Sequence, residues 1–117
     1  MAKTIMVVDD EEDNRKTIKM VLEKNGFNVV IANNGDDCLK KLKQMKVDLI
    51  LMDIMMPGRP TREVVAEIKN TKIIYLTAVQ ISEAEQEILL RQKNVVDFIN
   101  KPFDVKMLAT KIKKLVA

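Results

Sequence analysis

Residues 47–58, VDLILMDIMMPG, decide the fold. The run from Val47 to Met52, apolar except at Asp48, leads straight into Asp53 and then into a turn signal at Pro57 and Gly58. An apolar run of this length is typical of a strand that is buried on both faces of a parallel sheet. Four further short runs of apolar character recur along the chain: Ile5 to Val8, Phe27 to Ile31, Ile73 to Leu76, and Val95 to Ile99. The sequence therefore predicts five strands.

Amphipathic segments separate these runs. Their apolar residues recur three or four positions apart, which is the spacing of helices with one buried face. The last segment, which contains Leu108 and Ile112, shows the pattern most clearly. Helix N-caps are predicted at Asn34, Thr61, Ser82 and Asp104, with a capping box between Ser82 and Glu85 and a helix end at Gly26.

Strict alternation of strands and helices restricts the topology. With short connections and right-handed crossovers, it predicts an α/β fold: a doubly wound (βα)5 sheet of five parallel strands in the order 2-1-3-4-5, with helices on both faces. Asn28 and Asp97 interrupt the second and fifth runs, which marks these strands as the edges. In such a sheet a ligand site forms at the carboxyl ends of the strands beside the switch in strand order, here between strands 1 and 3.

The size and composition of the chain exclude several classes of protein. Its 117 residues suit one domain, so we expect residues 1–117 to form a single unit. The one cysteine, Cys38, rules out an internal disulfide and a multi-thiolate zinc site, and it favours a reducing, cytoplasmic location. The chain has no histidine, so most catalytic triads are excluded and any phosphohistidine chemistry must come from a partner.

Glycine content, charge and hydropathy argue against other ligands. The three glycines are spaced for neither a P-loop nor a dinucleotide-binding fingerprint. The net charge is only +3 and aromatic residues make up 3% of the chain, so we expect no direct binding to nucleic acid. No apolar run reaches transmembrane length and the N-terminus lacks a signal-peptide pattern, so we expect no membrane association.

Polar side chains follow four of the predicted strands at the edge where the site is expected. Asp9 and Asp10 follow the first strand and Asp53 follows the third. Thr77 ends the fourth strand and Lys101 follows the fifth. The three carboxylates would repel one another unless a divalent cation and Lys101 cancelled their charge. The sequence therefore predicts a Mg2+ site built from oxygen ligands and water.

Each of these residues also has a simpler interpretation. For Glu11, Glu12 and Asp13 we favour it, since acidic residues in a first helical turn interact well with the helix dipole. The simpler alternatives for the others are helix capping for Asp9 and Asp10, a turn for Asp53, a β-branched strand residue for Thr77, and a surface lysine for Lys101. Their common position at one edge of the sheet favours the site.

Four blocks of sequence carry these residues: Val7-Val8-Asp9-Asp10-Glu11, Leu51-Met52-Asp53-Ile54-Met55-Met56-Pro57-Gly58, Leu76-Thr77-Ala78 and Asn100-Lys101-Pro102-Phe103. In content and order they resemble the signature blocks of the receiver domains of two-component response regulators, of the chemotaxis-regulator-like kind. The resemblance covers essentially the whole chain. It implies a flavodoxin-like fold and a signalling domain that catalyses only its own phosphoryl transfer and self-dephosphorylation.

The resemblance also implies roles for the site residues. Asp53 is the phosphoryl acceptor, and Asp9 and Asp10 bind Mg2+ together with Asp53 and the backbone carbonyl of Met55, with Mn2+ as a substitute. Thr77 and Lys101 then contact the phosphoryl group. These roles suit the chemistry, because transfer to a carboxylate needs mainly positioning and charge neutralisation. The Lys101–Pro102 bond is expected to be cis by the same resemblance.

Partners follow from the resemblance as well. The donor is a sensor histidine kinase or a histidine phosphotransfer protein. Because the chain ends after the fifth helix, the output is expected to be a downstream protein, with the domain a monomer or a weak phosphorylation-dependent dimer. Phosphorylation is expected to move Thr77 and Phe98 and to change binding on the face formed by the fourth helix, the fifth strand and the fifth helix.

The sequence departs from the family pattern in places. The interval between Asp53 and Thr77 is short, and residues 59–62 stand where an acidic or amide residue and a glycine often follow, so we expect a short or displaced third helix. Residues 92–94 stand where a small Gly-Ala pair often precedes the fifth strand in this family. The sequence therefore does not predict the geometry of the fourth helix and the loop after it. By the same resemblance, the positions that flank the acceptor site are Met55 and Val79, and since neither apolar side chain can orient a water for attack, we expect slow self-dephosphorylation.

Two other functions are open to this sequence. An aspartyl-phosphate phosphatase of the haloacid dehalogenase type also combines aspartates, a threonine and a lysine around Mg2+. It would carry an Asp-x-Asp motif on its first strand, however, where this chain has Asp9-Asp10. The second alternative is a receiver-like binding domain that has lost phosphorylation, although every residue of the acceptor site is present.

Overall fold

The computed structural model describes residues 2–58, 60–78, 82–101 and 103–116, in which strands and helices alternate. The strands are β1 (Thr4–Val8), β2 (Asn28–Ala32), β3 (Leu49–Asp53), β4 (Lys72–Thr77) and β5 (Val95–Asn100). The helices are α1 (Glu12–Lys24), α2 (Gly35–Leu42), α3 (Thr61–Ala66), α4 (Glu83–Leu90) and α5 (Val105–Val116). The strands pair in parallel in the order β2-β1-β3-β4-β5. The predicted fold, strand order and edge strands are therefore confirmed.

The sheet is buried on both faces, as its continuous apolar strands predict. One face packs against α1 and α5 around Leu22, Leu108 and Ile112. The other packs against α2 and α3, with Cys38 and Val64 in its core. Each fully buried Leu, Ile or Val side chain contributes roughly 1.5–3 kcal/mol through the hydrophobic effect. Burial also raises the pKa of the Cys38 thiol to about 12, so it remains protonated and unreactive at neutral pH.

Helix ends follow the sequence signals in four of five places. Gly26 has φ +89°, and the N–H groups of Gly26 and Phe27 bond the carbonyls of Glu23 and Leu22, which closes α1 in a Schellman motif. The side chains of three predicted N-caps accept hydrogen bonds from backbone N–H groups inside their helices: Asn34 from Asp37 (2.8 Å), Ser82 from Glu85 (3.2 Å) and Asp104 from Lys106 (2.8 Å). The Ser82 half of the predicted capping box is thus in place.

The N-cap predicted at Thr61 is wrong. Pro60 occupies the cap position, its carbonyl accepts the Val64 N–H at 3.3 Å, and Thr61 is the first helical residue. The physical reason is that the Thr61 hydroxyl bonds backward to the carbonyl of Ile54, at 2.9 Å, and not forward into the helix. Helix α3 has only six residues, which confirms the prediction that it is short.

Close packing holds α3 against α2. A Cβ atom added at Gly35 would stand 2.5 Å from Cγ2 of Val64, well inside van der Waals contact. Helix α4 is different, because none of its residues is buried and Ile88 and Leu90 are 45% and 44% exposed. Helix α3, which precedes β4, is therefore anchored in the core, whereas α4, which follows β4, lies on the surface.

Strand β5 contains one irregularity. Ile73 pairs with Val95 and Ile74 pairs with Asp97, so Val96 is an extra residue in the ladder. The bulge reverses the alternation of side chains beyond it and places Phe98 opposite Tyr75, with ring centroids 5.6 Å apart. Phe98 thereby packs on the α2 and α3 side of the sheet.

Helices in the described part of the chain are too short or too polar to cross a lipid bilayer.

Candidate functional site

Two aspartates lie side by side because β1 and β3 are neighbours. Val8 pairs with Met52, so Asp9 and Asp53 come next along adjacent strands. Asp9 is fully buried, Asp53 is 4% exposed, and Asp10 is exposed at the start of the loop to α1. One carboxylate oxygen from each of the three residues lies within 4.8 Å of the others. The structure thus brings together the three acidic residues that the sequence singled out.

Lys101 follows the edge strand β5 and completes this cluster. Its backbone N–H donates to the carbonyl of Thr77 at 2.7 Å, which continues the β4–β5 ladder and fixes the lysine at the sheet edge. Its Nζ atom lies 3.0 Å from Oδ2 of Asp9 and 2.9 Å from Oδ2 of Asp53. Burial lowers the pKa of Lys101, but the hydrogen bonds and charges of the two aspartates outweigh this effect and raise its pKa above the ordinary value.

The buried Asp9 is held by Glu11, which precedes α1, and by two residues in the first turn of α1. Its Oδ1 accepts the Glu11 N–H at 2.9 Å, and its Oδ2 lies 3.4 Å from Nδ2 of Asn14. The guanidinium of Arg15 donates to the Asp9 carbonyl at 2.6 Å. Asn14 and Arg15 were not predicted from the sequence as site residues. The available signal was their position in the first turn of the helix that follows the acidic pair, but a polar residue there is equally typical of a solvated face.

The Asp53 carboxylate is held from its other side by the loop that follows β3. Its Oδ1 accepts the Met55 N–H at 2.9 Å. The carbonyl of Ile54 accepts the Thr61 hydroxyl, whose oxygen also lies 3.4 Å from the Asp53 carbonyl. The sequence predicted Thr61 only as a helix N-cap and not as a residue near the site. No sequence pattern indicates that its side chain turns back to this loop.

The remaining predicted residues occupy several environments. Thr77 is 1% exposed at the end of β4, next to the strand that carries Asp53. The Met55 side chain is exposed, while its backbone contacts Asp53. Val79 and Pro102, and with Pro102 the predicted cis bond, lie outside the described residues.

The acidic residues beyond Asp10 stand apart from the cluster. Glu11 precedes α1, and Glu12 and Asp13 lie in its first turn. Glu12 pairs with Lys16 one turn later, at 3.1 Å, and this partner lowers the pKa of the glutamate. The arrangement suits the helix-dipole interpretation of these residues.

The donor set fits a hard divalent cation. Three carboxylates and one ammonium leave the cluster with a net formal charge of about −2, which such a cation would cancel. Mg2+ binds oxygen ligands and keeps several of its waters, and the exposed Asp10 leaves the cluster open to solvent on one side. Asp9, Asp10 and Asp53 are the residues that could hold the ion.

A parallel sheet of order 2-1-3-4-5, with three aspartates and a lysine gathered beside its switch point, is the architecture of a phosphoacceptor signalling domain. The family model of the response regulator receiver domain matches residues 5–113, and the chain belongs to this family. The predicted family is therefore confirmed. Membership also decides against a phosphatase of the haloacid dehalogenase type.

Individual relatives agree with this assignment. Over 118 residues the chain is 30% identical to the alkaline phosphatase synthesis transcriptional regulatory protein PhoP of Bacillus subtilis (strain 168), an alignment that covers 99% of this chain and 49% of PhoP. The chain thus spans about half the length of this curated relative.

Two solved structures are similar along nearly their whole length. The response regulator TrrA of Thermotoga maritima, in complex with Mg2+-BeF, is 37% identical with a TM-score of 0.83, and the match covers 97% of this chain and 98% of TrrA. A CheY-like receiver domain protein of Methanospirillum hungatei is 32% identical with a TM-score of 0.84, covering 97% of this chain and 94% of that one.

Proposed function

We propose that Asp53 accepts a phosphoryl group from a phosphohistidine of a sensor histidine kinase or a histidine phosphotransfer protein. The observation that carries this proposal is the clamp on the Asp53 carboxylate: the Met55 N–H holds Oδ1 and the Lys101 ammonium holds Oδ2. An oxygen of Asp53 forms the new bond to phosphorus while the P–N bond of the donor breaks. The electron pair of that bond stays with the donor's imidazole. This chain has no histidine, so the donor is a partner.

We propose that Asp9, Asp10 and Asp53, with the backbone carbonyl of Met55, bind Mg2+, and that Mn2+ can replace it. When bound, the cation neutralises charge that builds up on the phosphoryl oxygens. The charge of the cluster and the proximity of its three carboxylates support this assignment. The similarity to TrrA, whose solved structure contains Mg2+-BeF, supports it independently.

Thr77 and Lys101 are proposed to contact the phosphoryl group. Lys101 already bridges Asp9 and Asp53, so a phosphoryl group on Asp53 would lie within reach of its ammonium. Thr77 ends the strand next to Asp53 and can offer its hydroxyl from the opposite side. Together they would favour the transferred group through a charge and a directed hydrogen bond.

We propose that the resulting switch uses Thr77 and Phe98. A phosphoryl group adds about two negative charges and strong acceptor oxygens, which draw the Thr77 hydroxyl toward the site. Phe98 is only partly buried and packs on Tyr75, so it can move into space that Thr77 vacates. The face of α4, β5 and α5 would report this change, and it already exposes Ile88 and Met107.

Further properties of the domain are proposals on the same basis. We propose that residues 1–117 act as a single receiver domain, cytoplasmic and monomeric or weakly dimeric when phosphorylated, that contacts neither nucleic acid nor membranes directly. Its output would pass through a downstream protein. The relative PhoP is a transcriptional regulatory protein, but this chain matches only about half of it.

Acceptor chemistry can be tested by intact mass. Incubation with acetyl phosphate and Mg2+ should add one phosphoryl group to the unmodified protein and none to an Asp53→Asn variant. Asp13→Asn is the matched control, because it removes an exposed carboxylate from the first turn of α1. Equal labelling of the Asp53→Asn variant would refute the assignment. An unlabelled wild-type chain would instead favour a receiver-like binding domain that has lost phosphorylation.

A further inference from the structure

We propose that Thr61 is a positioning residue for the phosphoacceptor, which it orients through the peptide group between Ile54 and Met55. The carbonyl of this peptide accepts the Thr61 hydroxyl at 2.9 Å. The N–H of the same peptide donates to Oδ1 of Asp53, also at 2.9 Å. A continuous hydrogen-bonded chain thus runs from a helix to the carboxylate that receives the phosphoryl group. The inference rests on the proposed role of Asp53.

The planarity of the peptide bond gives this chain its mechanical meaning. Because the C=O and N–H of one peptide lie in a common plane, a donor that fixes the oxygen also fixes the direction of the hydrogen. Hydrogen bonds at the two ends of a peptide also polarise each other. The Thr61 hydroxyl should therefore both aim the Met55 N–H and strengthen its bond to the acceptor.

The Thr61 end of this hydrogen-bonded chain is firmly anchored in the core. Thr61 is 7% exposed, and Val64 and Val65 in the same short helix are 1% exposed in the core beneath β1 and β3. The absence of a side chain at Gly35 lets Val64 sit tightly against α2. A hydroxyl on such a helix has a fixed origin, so it can set the position of a loop.

The backbone on the near side of this peptide is fixed as well. The Ile54 N–H donates to the carbonyl of Leu76 at 2.9 Å, which ties the loop to β4. The hydroxyl of Thr61 supplies the constraint beyond that point, where the sheet ladder has ended.

Two substitutions separate the hydroxyl from the shape of the side chain. Thr61→Val keeps the β-branched volume and removes the donor, whereas Thr61→Ser keeps the donor and removes a methyl group. Thr110→Val is the matched control, since the Thr110 hydroxyl also donates to a backbone carbonyl, that of Lys106 at 3.0 Å, but on the exposed side of α5.

Two quantities are measured for each variant. The first is the amide proton resonance of Met55, and the second is the rate of phosphorylation by acetyl phosphate at saturating Mg2+. We expect Thr61→Val to move the Met55 resonance upfield and to slow phosphorylation about tenfold, the loss of roughly one hydrogen bond's worth of positioning. Thr61→Ser should restore both, and Thr110→Val should change neither. Far-UV circular dichroism and urea unfolding verify that each variant is folded under the assay conditions.

The outcomes distinguish this inference from the proposed function. If Thr61→Val phosphorylates at the wild-type rate while Asp53→Asn is not labelled, the acceptor assignment stands and the positioning role is wrong. A slow Thr61→Ser variant would also overturn the positioning role, because it would assign the effect to side-chain volume. If Asp53→Asn is labelled like the wild type, the proposed function itself fails.

Discussion

Lys101 places its ammonium 3.0 Å from the carboxylate of Asp9, although the two residues are 92 positions apart in the chain. The contact joins the end of β5 to the end of β1 across β3 and β4, and it brings the ammonium to an aspartate with no solvent exposure. A charge buried this deeply depends on its partner, since removal of one member of a buried pair costs more than the pair contributes net. Removal of Lys101 is therefore expected to destabilise the fold.

Replacement of Lys101 by methionine tests this dependence. In the absence of Mg2+, we expect Lys101→Met to lower the free energy of unfolding at neutral pH by about 3 kcal/mol, because it leaves Asp9 and Asp53 without their cation. In the wild type the raised pKa of Lys101 means that its stabilisation is fully present below the ordinary value of 10.5 and is lost as pH rises through the folded pKa. The measurement is urea unfolding between pH 7 and strongly alkaline pH.

Lys111→Met is the matched control for this experiment. Lys111 pairs with Asp97, but both side chains are more than a third exposed, at 43% and 35%. Its loss should cost less than about 1 kcal/mol. Equal destabilisation by the two substitutions would contradict the argument from burial.

Asp10 and Glu12 should differ in their effect on metal binding. Asp10→Ala removes a ligand from the acidic cluster, and we expect it to weaken Mg2+ binding at least tenfold by isothermal titration. Glu12→Ala removes a nearby carboxylate that already pairs with Lys16, and we expect no comparable loss. Similar losses in both variants would mean that diffuse charge, not ligation, attracts the cation.

Gly35 and Val64 should show a strong energetic coupling. Gly35→Ala introduces a methyl group 2.5 Å from Val64 Cγ2, and we expect it to lower the free energy of unfolding by about 1–3 kcal/mol. Val64→Ala removes the Cγ atoms at 2.5 and 3.3 Å and leaves only Cβ at 3.4 Å, so the same substitution should be much less costly in that background. A double-mutant cycle with all four proteins measures this coupling. Additive losses would show that the helices do not meet as described.

The proposed switch predicts where phosphorylation is felt. We expect the resonances of Ala78 and Phe98 to shift on phosphorylation, because the proposed movement of the Thr77 side chain toward the acceptor changes the surroundings of both residues. A Thr77→Val variant, which keeps the branched shape without the hydroxyl, should accept the phosphoryl group with a much smaller shift at Phe98. Shifts confined to Asp9, Asp10 and Asp53 would show that the signal does not travel by this route.

The lifetime of the phosphorylated state is expected to be long. Met55 is 60% exposed, so its contribution is a lack of any group that could orient water, more than a shield against it. Decay of the phosphorylated protein in Mg2+ after donor removal should be several times slower than in a Met55→Asn, Val79→Glu double variant. A wild type that decays as fast as this variant would refute the expectation.

The sequence predicted those features that depend on local chemistry or on strict periodicity. The apolar runs identified all five strands, and Asn28 and Asp97 marked the edge strands because a polar residue is tolerated where one side of the strand has no neighbour. The strand-end aspartates and Lys101 were found because parallel strands bring their carboxyl ends to one edge. Composition and spacing sufficed for these features.

Features that depend on how a side chain turns in three dimensions were missed. Thr61 has the residue type and position of an N-cap, and only the path of the preceding loop decides that its hydroxyl bonds backward to Ile54. The contact of Arg15 with the Asp9 carbonyl likewise depends on the angle at which α1 leaves the sheet. A single sequence carries no signal for either angle.

The bulge at Val96 predicts that β5 can lose one residue and keep its pairing with β4. Val96 has no partner across the ladder. Deletion of this residue would therefore leave Val95 opposite Ile73 and Phe98 opposite Tyr75, and Lys101 would keep its place beside the aspartates. The same loss within β1 or β3, where pairing is uninterrupted, would turn every later side chain to the wrong face. Strand β5 thus contains one residue that its pairing with β4 does not require, immediately before the segment that positions Lys101.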